Sequence, residues 1–457
     1  MRKVHKADHV EIDMLNGPIL GKMLAFALPL MLSSVLQLLF NAADVIVVGK
    51  FAGDRSLAAV GSTSSLISLL TNFFIGLSIG VNVMVARYEG AGDHRGVRET
   101  VHTAMITSVA SGLFLMAVGL TFGRGILSLM NTPPEVIGKA ALYLRIYFLG
   151  MPAMMIYNFG AAILRSVGDT RRPLHYLFAA GILNVILNLF FVIVMKMDVA
   201  GVATATVISQ CLSALLVLRC LLRESGDIRL SREHLHFSKD KFTKILRIGF
   251  PAGLQSTLFN FSNVIIQSTI NSFGSIVVAG SAASSNIEGF VYISMNSFYQ
   301  ATLSFTSQNV GAGKYDRIGR ILRCGLLCVA VTGLILGPGA VLNGRRLLDL
   351  YTDNPEVITA GMYRLMMVAS CYFLCGMMET MVGSIRGMGY AVLPMIVSLI
   401  GACGLRIVYI FTLFRLPAMH TPRGLFITYP VSWAVTLTAH IICYRMIRRK
   451  HFSLEHE

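Results

Sequence analysis

Apolar stretches separated by short polar connections run along almost the entire chain. Twelve of them can be marked, near 23–49, 57–85, 100–122, 136–164, 173–195, 199–221, 243–272, 276–307, 321–342, 356–385, 391–414 and 424–446. About 20 apolar residues suffice for a helix to cross a bilayer, so each is long enough to be a membrane span. Six spans lie on either side of one long polar stretch, Arg223–Lys241, which reads RESGDIRLSREHLHFSKDK. The pattern predicts an all-α integral membrane protein of twelve helices. Its expected parts are a first half over 1–221, a cytoplasmic linker over 222–241 and a second half over 242–457.

The halves are copies. At an offset of 221 residues, Gly90-Ala91-Gly92 returns as Gly311-Ala312-Gly313 and Pro134-Glu135-Val136-Ile137 as Pro355-Glu356-Val357-Ile358. Gly123-Arg124, Arg165, Gly168 and Pro173 return as Gly344-Arg345, Arg386, Gly389 and Pro394, with no gap between. Chance does not supply such a collinear series. An even number of spans per copy gives both copies the same orientation. The repeats are therefore expected to be parallel, related by an axis along the membrane normal, with a central cleft as the transport route. Pro134 and Pro355 stand where helices open, since proline lacks only an N–H that is unused there. The Gly-Ala-Gly pairs stand where helices turn.

Composition agrees with the pattern. Hydrophobic residues make up 54% of the chain and charged residues only 14%, against about 25% charged in a soluble globule. The net charge of +16 would suit nucleic acid, but its placement excludes that reading. With a cytoplasmic N-terminus, basic residues crowd the cytoplasmic connections. They are Arg2, Lys3 and Lys6; Arg87, Arg95 and Arg98; Arg165, Arg171 and Arg172; the linker; Lys314, Arg317, Arg320 and Arg323; Arg386; and Arg445, Arg448, Arg449 and Lys450. The opposite face is sparser. This positive-inside bias places a multi-pass chain in the cytoplasmic membrane with both termini in the cytoplasm. The linker's basic side is expected to face anionic headgroups. The eight cysteines lie in or beside apolar segments with no C-x-x-C, and no metal site is expected.

A carboxylate at mid-span costs ~3 kcal/mol or more, so acids inside spans are functional candidates. Three stand out: Asp44, Glu288 and Glu379. Asp44 lies six residues before Lys50, or roughly 9 Å inside the outer end of the first span. Tyr143, Asn184, Asn188 and Thr206 reach comparable depths on the fourth, fifth and sixth spans, and Gln37 lies two turns along the first. These six side chains from four helices predict a polar pocket. In it, a carboxylate can be neutral in one state and charged in another, the switch that a proton-coupled carrier needs. Arg406 is read as the one clear mid-span base, with Glu288 or Glu379 as its partner. The acids are not duplicated: Glu379 falls opposite Asn158, and Asp44 opposite Asn263.

Several motifs carry a family resemblance. They are NAADVIVVGKFAG in the first span, MVARYEGAGD after the second, ILRSVGDTRRP between the fourth and fifth, GVATATVISQ in the sixth, SNIEGFVYISMNSFYQA and SQNVGAGKYDRI around the eighth, and SIRGMG after the tenth. In order and spacing they resemble a multidrug and toxic compound extrusion (MATE) transporter over nearly the whole chain. The resemblance implies two six-helix lobes and export of amphipathic organic cations in exchange for protons or sodium, with no other cofactor. It implies a monomer in the lipid bilayer, and a first-lobe site at Gln37, Asp44, Tyr143, Asn158, Asn184 and Thr206. A second acid of some members falls at Asn188, and the acid that others carry on the seventh span is missing from PAGLQSTLFNFSN. Asp44 is left as the coupling carboxylate, with Glu288, Glu379 and Arg406 as secondary candidates.

Two other readings fit less well. A flippase for lipid-linked or polysaccharide substrates would call for a strongly cationic cavity. An intramembrane enzyme would need catalytic residues inside the spans, and neither H-E-x-x-H nor a plausible G-x-S-x-G occurs. The absence of a phosphate-binding loop speaks against ATP as the energy source, and the absence of a filter motif against a channel.

Overall fold

The computed structural model describes residues 11–130 and 132–453, without the side chains of residues 54 and 451–453. Arg2, Lys3 and Lys6 lie outside the described residues. Every regular element among the described residues is helical. With no water in the hydrocarbon, each backbone N–H and C=O must be satisfied within its own helix.

In the first half, α1 (Ile19–Phe51), α2 (Asp54–Gly90) and α3 (His94–Leu129) are followed by a broken pair, α4 (Pro134–Leu149) and α5 (Met151–Ser166). Next come α6 (Arg171–Leu189), which runs into a wide π-helical stretch over Phe190–Val194, and α7 (Asp198–Arg223). The second half repeats the order with α8 (Lys239–Asn271), α9 (Ser275–Gly311), α10 (Tyr315–Leu342) and a short α11 (Gly344–Asp349). Then follow α12 (Pro355–Val368), α13 (Tyr372–Gly387), α14 (Val392–Ser398), α15 (Leu405–Phe411), α16 (Pro422–Phe426) and α17 (Thr428–Ser453). Ten helical stretches among the described residues are long and apolar enough to cross a membrane, and the bent α4–α5 pair makes eleven. The 33-residue α8 is long enough but carries Gln255, Asn260, Asn263 and Gln267 within its length.

The repeat extends to backbone details. Left-handed glycines recur in pairs: Gly53 with Gly274, Gly92 with Gly313, and Gly168 with Gly389. Pro134 and Pro355 open α4 and α12 as expected. The α4–α5 break bends the chain by 48°. Its counterpart is a tight turn over Ala369–Cys371 between α12 and α13. Pro152 follows the first break and Phe373 the second, so proline is not their common cause. Their common feature is a glycine on the neighbouring helix. A Cβ on Gly112 of α3 would come within 2.4 Å of the Pro152 Cα, and one on Gly333 of α10 within 2.7 Å of the Phe373 Cα.

The chain divides into two units. One holds the stretch ending at Asp13 together with Leu32–Gly253; the other holds Met14–Met31 together with the chain from Leu254 on. Both internal boundaries fall three residues after a proline inside a long helix, Pro29 of α1 and Pro251 of α8. A mid-helix proline removes one backbone hydrogen bond and crowds the preceding turn, so it is a natural place for a helix to change allegiance.

In the first unit, the start of α8 is held by a glycine crossing. Gly76 and Gly80 of α2 face Gly249 and Gly253 of α8, each pair in a G-x-x-x-G pattern. A Cβ on Gly76 would lie 2.3 Å from the Gly253 Cα, and one on Gly253 would lie 2.3 Å from the Phe73 carbonyl oxygen. Small residues of this kind let helix backbones approach directly in lipid, where packing replaces the hydrophobic effect. Gly253→Val is expected to cost about 1–3 kcal/mol by overpacking. The loss is read as a lower thermal midpoint in detergent, against an unchanged midpoint for Gly61→Ala, which has open space around it.

Candidate functional site

The first unit contains an open cavity of about 550 Å³ whose wall includes Gln37, Asn41 and Asp44 of α1, Ser64 and Ser68 of α2, and Tyr143 and Tyr147 of α4. Tyr157 and Asn158 of α5, Asn184 of α6, and Thr206, Ser209, Gln210 and Ser213 of α7 complete its polar lining. Among the described residues, Asp44 is the only charged one in that wall.

Packing sets the register that brings these side chains together. Phe40 of α1 fills the space left by Gly181 of α6, where a Cβ would meet the ring at 1.7 Å. One turn beyond Phe40 comes Asp44. One and two turns beyond Gly181 come Asn184 and Asn188. Glycine at 181 is what lets the ring sit there and the two polar faces meet.

The carboxylate is held from one side. The Asn188 amide donates one hydrogen to Asp44 Oδ1 and the other to Asn184 Oδ1 at 3.1 Å. Thr206 Oγ1 lies 3.5 Å from Asp44 Oδ2, but its shorter contact, 2.9 Å, is to the Val202 carbonyl of its own helix. Asp44 Oδ2 is therefore weakly engaged and can take a proton or a cation. The Asn184 amide nitrogen reaches Thr206 Oγ1 at 3.4 Å. Asn188 is fully buried, and its Oδ1 has no hydrogen-bond partner among the described residues. Rotating the amide would turn this acceptor to the acid.

The six polar side chains expected from depth along the spans thus converge: five line the cavity, and Asn188 sits behind Asp44. Asn158 lines it too, with its amide turned back on the Met154 carbonyl at 2.8 Å. The stacked rings of Tyr143 and Tyr147 lie 5.8 Å apart. Asn41, Tyr147 and Gln210 join the site beyond those expected, and helical spacing holds their signal. Each lies four residues beyond Gln37, Tyr143 and Thr206 respectively, one turn along the same face. The contribution of α2 has no such signal, because Ser64 and Ser68 are ordinary hydroxyls in an apolar run, and Ser64 bonds the Val60 carbonyl of its own helix at 3.2 Å.

The second unit corrects two expectations about Arg406. Arg406 pairs with neither Glu288 nor Glu379, because Glu288 is bound by Arg364. The Arg364 guanidinium grips both carboxylate oxygens, at 3.0 and 2.9 Å, and also donates to Ser281 Oγ at 2.8 Å. Both partners are buried. Arg406 is also not the one mid-span base, because Arg364 stands in α12, inside the apolar run PEVITAGMYRLMMV. Arg406 makes no ion pair among the described residues. It donates to Ser432 Oγ at 2.8 Å and lies over the rings of Tyr429 and Trp433, at 4.2 and 5.5 Å. Ring faces carry partial negative charge, so they take the place of a carboxylate. Glu379 is half-buried and has no ion pair or hydrogen bond among the described residues.

The MatE family profile matches residues 29–190 and 251–412, two segments that begin on Pro29 and Pro251. Two Bacillus subtilis (strain 168) proteins are similar over nearly their full length. The probable multidrug resistance protein YoeA is 27% identical, covering 93% of this chain and 93% of that protein. The probable multidrug resistance protein YpnP is also 27% identical, covering 97% and 98%. A MATE crystal structure in complex with MaL6 superposes with a TM-score of 0.90 at 20% identity, covering 97% of this chain and 99% of that one.

The Glu288–Arg364 pair allows a stability test. Breaking a buried pair from one side strands a charge and costs about 3–5 kcal/mol, whereas replacing both partners with neutral groups costs far less. Arg364→Met is expected to lower the thermal midpoint in detergent sharply, and adding Glu288→Gln to restore most of it. A double variant no better than Arg364→Met would show that the pair is not the stabilising element.

Proposed function

The chain belongs to the MatE family, and on that premise we propose that it is a secondary antiporter that exports amphipathic organic cations in exchange for protons, with Asp44 as the coupling carboxylate. One observation carries this reading: among the described residues Asp44 is the sole charge in a cavity of about 550 Å³, with one oxygen held and the other weakly engaged. The names of the relatives, probable multidrug resistance proteins, support drugs as the substrate class.

The chemistry is a competition for one carboxylate. Ionised Asp44 accepts from the Asn188 amide and attracts a cation, which Tyr143, Tyr147 and Phe40 can receive on their ring faces. Protonated Asp44 has no charge to hold the cation and becomes a donor itself. Rotation of the Asn188 amide presents its unpartnered oxygen to that donor, so one side chain serves both states. Proton entry and cation release are then the same event, as exchange requires. Sodium is the alternative coupling ion, with the Asn184 and Asn188 amide oxygens as further ligands. One cavity acid favours the proton.

The positive-inside distribution supports cytoplasmic termini. The repeat supports a first lobe over 1–221, a linker over 222–241 and a second lobe over 242–457. Two complete lobes in one chain support action as a monomer. Glu288 is committed to Arg364 and is assigned a structural role, as is Arg406 on its rings. Glu379, without such a partner, is kept as a secondary ion-site candidate.

The test is export of a fluorescent organic cation from proteoliposomes, with proton and sodium gradients imposed separately. The expected result is export driven by the proton gradient alone and lost in Asp44→Asn, which should remain folded and membrane-inserted. Full export by Asp44→Asn would overturn the coupling role. Export that follows only the sodium gradient would replace the proton with sodium.

A further inference from the structure

The linker between the halves is not a free tail. Arg229, Leu230 and Ser231 are tied down by backbone bonds, including Leu230 N–H to the Leu221 carbonyl at 2.9 Å. Ile228 and Leu230 are buried. The Ser231 N–H donates to Nε2 of the fully buried His102 of α3 at 3.1 Å, and the other nitrogen of that ring binds the Arg98 carbonyl at 2.8 Å. Further along, the Ser238 N–H donates to Thr103 Oγ1 at 3.1 Å. The segment is thus laid against the first turns of α3, beside the end of α7.

This arrangement forms a recess of about 670 Å³, with Arg98, Arg229, Arg232 and His234 in its wall. None of the three arginines makes an ion pair among the described residues, and all three are exposed. Asp227 and Glu233 also line the recess, but Asp227 is engaged by His94 at 2.5 Å. The wall therefore carries three arginines without an ion pair against two carboxylates, Glu233 and the Asp227 held by His94, and keeps an excess of positive charge. Guanidinium groups match phosphate oxygens in geometry and charge, so three arginines in the wall of one recess suit an anionic ligand.

The flanks of the recess decide which anion. Leu222 lies in its wall and is 43% exposed, and Leu235 and Phe237 just beyond it are 54% and 38% exposed. A soluble phosphate has no use for them, whereas acyl chains do. The recess also adjoins the span ends that the charge distribution assigns to the cytoplasmic leaflet, where anionic lipids concentrate. We propose that this recess binds the phosphodiester headgroup of an anionic phospholipid, with Arg98, Arg229 and Arg232 on the phosphate and Leu222, Leu235 and Phe237 along the acyl chains. The site is separate from the cavity around Asp44 and does not depend on the transport reading.

The test measures binding of phosphatidylglycerol, phosphatidylcholine and soluble glycerol 3-phosphate to the full-length protein in detergent, by native mass spectrometry and thermal shift. Phosphatidylglycerol is expected to stay bound and raise the midpoint, and phosphatidylcholine to do neither. Near a membrane surface each arginine is worth roughly fivefold, so Arg98→Gln, Arg229→Gln and Arg232→Gln should each weaken phosphatidylglycerol by about that factor, and together by about 100-fold. Leu235→Gln with Phe237→Gln should weaken the lipid as well. Unchanged phosphatidylglycerol binding in the three single arginine variants would overturn the site. Equal stabilisation by glycerol 3-phosphate at the same concentration would overturn the lipid in favour of a soluble phosphate.

Discussion

A hydrocarbon environment offers no hydrogen bonds, so a polar group that enters it is costly unless it brings its own partner. The backbone meets the constraint by being helical. Four charged side chains, Glu288, Arg364, Arg406 and Asp44, meet it in three ways. Glu288 and Arg364 neutralise each other through two hydrogen bonds. Arg406 uses aromatic faces and one hydroxyl. Asp44 meets it only in part, through Asn188, and leaves one oxygen toward a cavity. This incomplete solution separates Asp44 from the paired charges. A fully paired carboxylate is fixed; a half-paired one can change partners.

The duplicated architecture makes this contrast sharper. The left-handed glycines recur in both halves, as do the proline-opened helices and the chain breaks near residues 150 and 370. What recurs is backbone geometry, because helix crossings and turns tolerate few residue types. What does not recur is the charge inside the spans: none of Asp44, Glu288, Arg364, Glu379 and Arg406 has a charged counterpart in the other half. The first half carries its acid on the first span with amides around it, and the second half carries an ion pair between the eighth and tenth spans of the chain. One framework can therefore hold a half-paired acid in one unit and a fully paired one in the other.

Much of the site is legible in the order of residues. Depth along the spans puts Asp44, Tyr143, Asn184, Asn188 and Thr206 at comparable levels, and helical spacing adds Gln37 on the face of Asp44 and extends the set to Asn41, Tyr147 and Gln210. The role of Arg364 is not legible. It stands in an apolar run beside the repeated Pro-Glu-Val-Ile, and nothing in its neighbours marks it as the partner of a glutamate 76 positions earlier. For Arg406 a carboxylate partner is the natural expectation, because charge normally seeks charge. Residue order cannot show that two aromatic rings from α17 lie beneath it.

The sequence by itself determined the class, the succession of spans, the doubling and the short list of polar residues, because hydropathy and periodicity are local properties that the bilayer enforces residue by residue. Only the tertiary structure decided which polar groups meet. That choice rests on helix approach: a glycine at 181 that admits Phe40, and glycines at 76, 80, 249 and 253 that let α2 and α8 touch. Such contacts join residues far apart in the chain, and their geometry depends on side-chain volumes on both faces at once.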